Sequence, residues 1–168
     1  LSIDDLLINQ ASQDLKLAMS HLSFIAHAYI WGDNKPNESI PSVLANPWVK
    51  AAKNQGRPPI LSYASYCLDN WSLIDPDESI SLENVGLINN FLGGVDEDWF
   101  VTIHVCIENA AADAMAACAA ISMLNTDSPE NESIEFLKRI IISMKKVNEI
   151  FARMPEKCDP YIYYHRVR

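Results

Sequence analysis

The chain is short of glycine, with five in 168 residues, and none of them builds a phosphate-cradling loop. It also lacks a nucleophile elbow, an HExxH pair and an EF-hand loop. Its four cysteines, Cys67, Cys106, Cys118 and Cys158, lie far apart and form no CxxC pair. Neither a zinc knuckle nor a redox motif is therefore signalled, and they read as buried free thiols of a reducing compartment. No run of about 18 apolar residues and no signal-peptide pattern stands out, which argues against a membrane span. Basic residues form no long patch, and with a formal charge of −9 the chain is a poor partner for nucleic acid or anionic membrane. These absences lead us to expect a cytoplasmic protein. No strand pair with hairpin signals and no internal repeat is visible.

What is present is helical and apolar. Nearly half the residues are hydrophobic and four are Trp, which excludes disorder and allows a real core. The chain begins at Leu1 already in a helical pattern and stops at Arg168 within what reads as a starting helix, so we expect a portion of a longer protein. Residues 3–30 read as a first helical region, with a possible break near Ser12 or Ser20, ended by Gly32 and Pro36. A short helix runs from Ser39–Pro41 to Gly56. A further helix is expected from Pro58–Pro59 to Trp71, and an amphipathic one over Leu82–Leu92. Gly93-Gly94 reads as a hinge. Ser133–Met154 has the cleanest helical periodicity, and Pro155 stops it. The fold class is all-α: helices of residues 1–92 and then helices of residues 96–168.

The organising stretch is Asp96–Ala120, DEDWFVTIHVCIENAAADAMAACAA, read as one long helix. Asp96 to Asp98 place negative charge where a helix N-terminus favours it. Phe100, Ile103, Ile107, Ala111 and Ala114 form an apolar stripe, and His104 lies on it. The commonest fate of such a histidine is a hydrogen-bonded place in the core; the other is a ligand pocket. His21 and His27 are six apart, the wrong spacing for two metal ligands on one helical face. Tyr63, Tyr66, Phe100, His104 and Tyr163 are able to line an apolar site, and Arg168 to fix a carboxylate as a bidentate fork. Aromatic core and an ordinary surface salt bridge are the competing readings. From the residues alone the chain is a helical protein with a possible apolar pocket for a small anionic ligand.

Four segments in order, AHAYIWG (26–32), RPPILSYASYCLDNW (57–71), DEDWFVTIHVCIENAAADA (96–114) and DPYIYYHRVR (159–168), resemble the N-terminal and middle portion of indoleamine 2,3-dioxygenases. The resemblance spans essentially the whole chain. It implies a helical haem-dioxygenase fold, a haem b (iron) cofactor, and O2 and L-tryptophan or a related indole as substrates, with N-formylkynurenine as product. It implies that Phe100 packs over the distal haem face, with His104 one turn later, a position that is serine in vertebrate members. Tyr63 and Tyr66 match the wall around the indole, Tyr163 a second substrate-contacting aromatic, and Arg168 the arginine that holds the substrate carboxylate. The alanine tract that includes Ala111 fits a helix close to the porphyrin plane. No metal ligand is expected within the chain, because the family's proximal histidine lies downstream of the arginine motif. The remaining C-terminal part of the same protein is the expected partner. Two other readings stand beside this one: a haem enzyme of the same fold oxidising another indole in secondary metabolism, and a non-catalytic helical binding module.

Overall fold

The structure, a computed structural model, describes residues 12–125 and 129–167. The first part of the expected 3–30 helix and Arg168 lie outside the described residues. The fold is all-α with two short strands, as the composition and periodicity implied. The chain divides into two compact units, one formed by residues up to Ser72 with Leu87–Gly93, the other by Leu73–Gly86 with Gly94–Arg168.

In the first unit, α1 spans Ser12–Trp31 and α2 spans Ser42–Asn54. Small residues let them approach closely: Ala18, Met19, Leu22 and Ala26 of α1 bury against Trp48, Ala51 and Ala52 of α2. Polar atoms trapped there are paired. Trp48 Nε1–H donates to Ser23 Oγ at 3.0 Å, and Ser23 donates to the Met19 carbonyl at 2.7 Å. No break occurs at Ser20, whose buried hydroxyl donates to the Ser65 carbonyl at 3.0 Å. After Trp31 the orphan carbonyls are satisfied by Asn37, whose backbone N–H meets Ile30 O and whose side chain meets Tyr29 O. Helix α2 ends as glycine predicts: Gly56 takes φ +64°, and the Arg57 N–H turns back to Ala52 O at 3.0 Å.

Two expected helices are corrected. Between Pro58 and Trp71 only a π-helical turn forms, Ala64–Leu68, and Trp71 opens strand β1 (Trp71–Leu73). Residues 82–92 are not an amphipathic helix. They contain strand β2 (Val85–Leu87), which pairs with β1, so the expectation of no strand pair is also corrected. Asparagine side chains explain both departures, because they offer the backbone partners that a helix would otherwise supply. Asn70 donates to Tyr66 O and Asn89 O and accepts from the Asn89 N–H. Asn84 donates to Asp75 O and Ser79 O and accepts from the Asp75 N–H. Neither anchor has a periodic signature.

In the second unit, α3 (Val95–Ser122) packs along α4 (Glu130–Ala152). Gly93 and Gly94 adopt φ +73° and +103°, and Gly94 is the residue from which α3 starts. Ser143 Oγ donates to the Ala110 carbonyl at 2.6 Å, and Arg139 pairs with Asp113. A short turn at Met154–Glu156 follows α4, then α5 (Pro160–Ile162) and a π-helical turn, Tyr163–Val167. By length and hydropathy alone α3 is long and apolar enough to cross a membrane, which corrects the expectation that no such stretch exists. The core helix of a globular unit passes the same test, and α3 carries Glu97, Asp98, His104, Glu108 and Asp113 while lying against α4.

Candidate functional site

Helix α3 positions the central residues of the second unit. Phe100 and His104 stand one turn apart on the same face, their ring centroids 4.2 Å apart and tilted by 39°. Tyr163 stacks on Phe100 at 4.2 Å and 23°. The three rings are each half-buried, and Phe100 is common to both contacts. Offset stacking of this kind fixes ring planes better than aliphatic packing does.

The side chains around them hold this row in place. Trp99, Ile103 and Cys158 form the buried cluster behind it, with Ile107, Ile150 and Met154 packed alongside. Trp99 Nε1–H donates to the Arg153 carbonyl at 3.0 Å, and the Lys157 ammonium lies 4.4 Å above its ring. Tyr163 is delivered by a capped turn: Asp159 accepts from the Tyr161 and Ile162 N–H groups, and its own N–H donates to Asp96 Oδ1 at 2.7 Å. The start of α3 and the approach to Tyr163 are therefore tied by one hydrogen bond across 63 residues of sequence.

His104 Nδ1 lies 2.7 Å from the Phe100 carbonyl oxygen. A carbonyl only accepts, so Nδ1 carries the proton at this contact, and in the neutral ring Nε2 is then an acceptor. Ala111 is half-buried on the His104 face of α3, and the surface beyond it is rich in alanine: Ala112, Ala116 and Ala119 are exposed, together with Asp113 and Met115.

Tyr63 and Tyr66 belong to the first unit. Tyr66 stacks on Phe24 at 5.7 Å and lies 6.3 Å from Phe91, while Tyr63 is half-exposed beside the π-helical turn. Phe24 and Phe91 were not singled out in the sequence, since nothing local marks aromatic residues 67 positions apart as neighbours. The segment holding both tyrosines is clamped by Asp69, whose buried carboxylate meets Arg57 at 2.8 Å and Lys16 at 4.0 Å. Arg168, the expected carboxylate partner, is outside the described residues.

Other chemistry is weakly supported. Burial pushes the Cys106 thiol up to about 11, with Glu83 adding to the rise and Arg153 opposing it. Burial also raises Cys158, helped by Asp96 and Asp159. Neither is a nucleophilic thiolate at neutral pH. Among the described residues no group of three or more His, Cys, Asp or Glu side chains could hold a metal ion. His27 Nε2 accepts the Leu61 N–H at 3.1 Å, and the His165 ring packs against Tyr161 and Tyr164.

The fold and site thus define an all-α protein with two short strands and a histidine set in an aromatic row beside an alanine-rich helix surface. The sequence model of the family described as indoleamine 2,3-dioxygenase matches residues 1–168, and the chain belongs to that family. It is 29% identical to indoleamine 2,3-dioxygenase of Saccharomyces cerevisiae over 100% of this chain and 38% of the yeast protein. It is 33% identical to indoleamine 2,3-dioxygenase 1 of Rattus norvegicus, over 91% of this chain and 38% of the rat protein. An indoleamine 2,3-dioxygenase of Aspergillus nanangensis is 30% identical over 88% of this chain and 37% of its own length. The chain therefore spans less than two-fifths of the length of these relatives.

Proposed function

We propose that this chain supplies the distal substrate wall of a haem-dependent dioxygenase that inserts O2 into the indole ring of L-tryptophan to give N-formylkynurenine. The observation that carries the reading is the aromatic row of His104, Phe100 and Tyr163 with its polarised imidazole. Haem, when bound, supplies the activation of oxygen.

The residues present fit one face of a flat macrocycle. Phe100 and His104 would border it at one end, and Ala111, Ala112, Ala116 and Ala119 would leave room along α3, with Met115 the bulky side chain among them. In this reading the residue that would hold the haem iron lies outside residues 1–168. His27 is a poor candidate because its Nε2 lone pair is taken by the Leu61 N–H.

Each side chain then has a specific task. His104 Nε2 accepts the indole N–H and orients the ring, since the Phe100 carbonyl keeps Nδ1 as the donor. It acts by positioning and removes no proton. Phe100 and Tyr163 fix the indole plane by stacking and exclude water. Arg168 binds the substrate carboxylate as a bidentate fork.

The test is an absorption spectrum of the purified full-length protein in the ferrous state, before and after L-tryptophan, followed by product mass. A haem band that shifts with L-tryptophan, and a product heavier by two oxygen atoms, is the expected result. A shifted band with a different product would assign another indole oxidation. Absence of a haem band after haem is supplied would favour a non-catalytic binding module.

A further inference from the structure

Helix α4 has two apolar faces, and among the described residues one is covered and the other exposed. Phe136, Ile140, Ser143, Val147 and Ile150 form the less exposed face, pinned to α3 by the Ser143 to Ala110 bond and by Ile150 packing on the Trp99 cluster. A second row consists of Ile134, Leu137, Ile141, Met144 and Phe151, which are 45%, 52%, 55%, 45% and 54% exposed. These residues recur at alternating steps of three and four, the seam of a coiled coil, with Asn148 in register between Met144 and Phe151. A single polar residue in such a seam fixes register at some cost in stability. Contiguous apolar surface of this kind on a helix marks an interaction face.

Charge indicates what covers it. Lys138 and Lys145 follow the outer edge of the seam one position after Leu137 and Met144, in a chain whose formal charge is −9. Lys138 also meets Glu135 at 3.6 Å, an exposed pair of small energetic weight. An antiparallel second copy would bring its own lysines to this edge, so like charges would face one another across the seam. A helix flanked by carboxylates is complementary. The relatives are long enough to provide one within a single polypeptide, since this chain covers 38% of the yeast and rat proteins.

We propose that the exposed α4 seam is the docking site for an amphipathic helix from the remainder of the same polypeptide, outside residues 1–168, which sets Asp or Glu side chains opposite Lys138 and Lys145. The proposal rests on family membership and is independent of the haem and substrate assignments.

The test uses the full-length protein with a photo-crosslinking residue in the seam, Ile141→p-benzoylphenylalanine. After irradiation and digestion, mass spectrometry is expected to find the α4 peptide joined, within one polypeptide, to a peptide outside residues 1–168. That peptide should have apolar residues at steps of three and four with adjacent carboxylates. Joining to the α4 peptide of a second copy, joining to a peptide within residues 1–168, or no joining at all would overturn the proposal, as would a natural reading frame that stops at residue 168. A second measurement keeps it falsifiable if the probe perturbs folding. Lys138→Glu with Lys145→Glu is expected to lower the full-length Tm by several degrees, whereas Lys146→Glu, outside the seam edge, leaves it unchanged. Equal Tm values for the two variants would overturn the proposed pairing. Haem absorption of the same preparations reports separately on the catalytic reading.

Discussion

The His104 imidazole and the Phe100 carbonyl are joined at 2.7 Å within α3, a contact that sets the tautomer of the ring. A proton held on Nδ1 leaves Nε2 to accept, which is the polarity an indole N–H requires. In the full-length protein His104→Ala should lower turnover of L-tryptophan about tenfold, the equivalent of one hydrogen bond of about 1.4 kcal/mol. Haem content should remain near that of the parent, and the two are measured together by turnover and by absorption. Loss of haem in parallel with activity would make His104 a ligand or a structural prop instead.

Arg168→Ala separates binding from chemistry. A carboxylate that loses its charged partner in a partly desolvated site is weakened by about 2–4 kcal/mol. The expected outcome is a large rise in KM for L-tryptophan. An indole without the carboxylate should be much less affected. An unchanged KM for L-tryptophan would remove Arg168 from the site.

The sequence disclosed the residues whose neighbours are local. His104 and Phe100 share a helical face because they are four apart, and α3 and α4 follow from apolar steps that no loop residue interrupts. Gly56 marked the end of α2 because the turn demands its φ of +64°. Long-range contacts were hidden. The stacking of Tyr163 on Phe100 depends on Asp159 reaching Asp96, and no pattern in either segment encodes that hydrogen bond. The failed helices at 58–71 and 82–92 have the same cause. Asn70 and Asn84 supply side-chain partners to the backbone, and a reading by hydrophobic period does not weigh that competition.

Gly94 provides a test of backbone strain. It starts α3 at φ +103° and ψ 171°, a region that residues with a Cβ avoid, although a Cβ there would meet open space. Gly94→Ala should therefore cost about 1–3 kcal/mol through conformation alone. Gly86 is the internal control: an added Cβ would meet Ile74 at 3.5 Å, an ordinary contact, and its φ is not positive. Gly86→Ala should change stability by about 0.5 kcal/mol or less. Urea midpoints of the two variants check the difference, and equal values would mean that the Gly94 conformation relaxes freely.

His27 gives the pH dependence a definite sign. Burial lowers its pKa below the ordinary imidazole value of about 6.5, and its Nε2 must stay unprotonated to accept the Leu61 N–H at 3.1 Å. Below that ordinary value the unfolded chain binds a proton that the folded chain resists. Stability therefore falls as pH drops from about 6.5 toward the folded pKa, and the contribution is present above it. His27→Gln retains an acceptor near Leu61 without an ionisable ring, so its Tm should decline less between pH 7 and pH 5 than that of the parent. His21, His104 and His165 are common to both proteins, and the difference between the two curves isolates His27. Superimposable slopes would show that protonation of His27 is not coupled to folding.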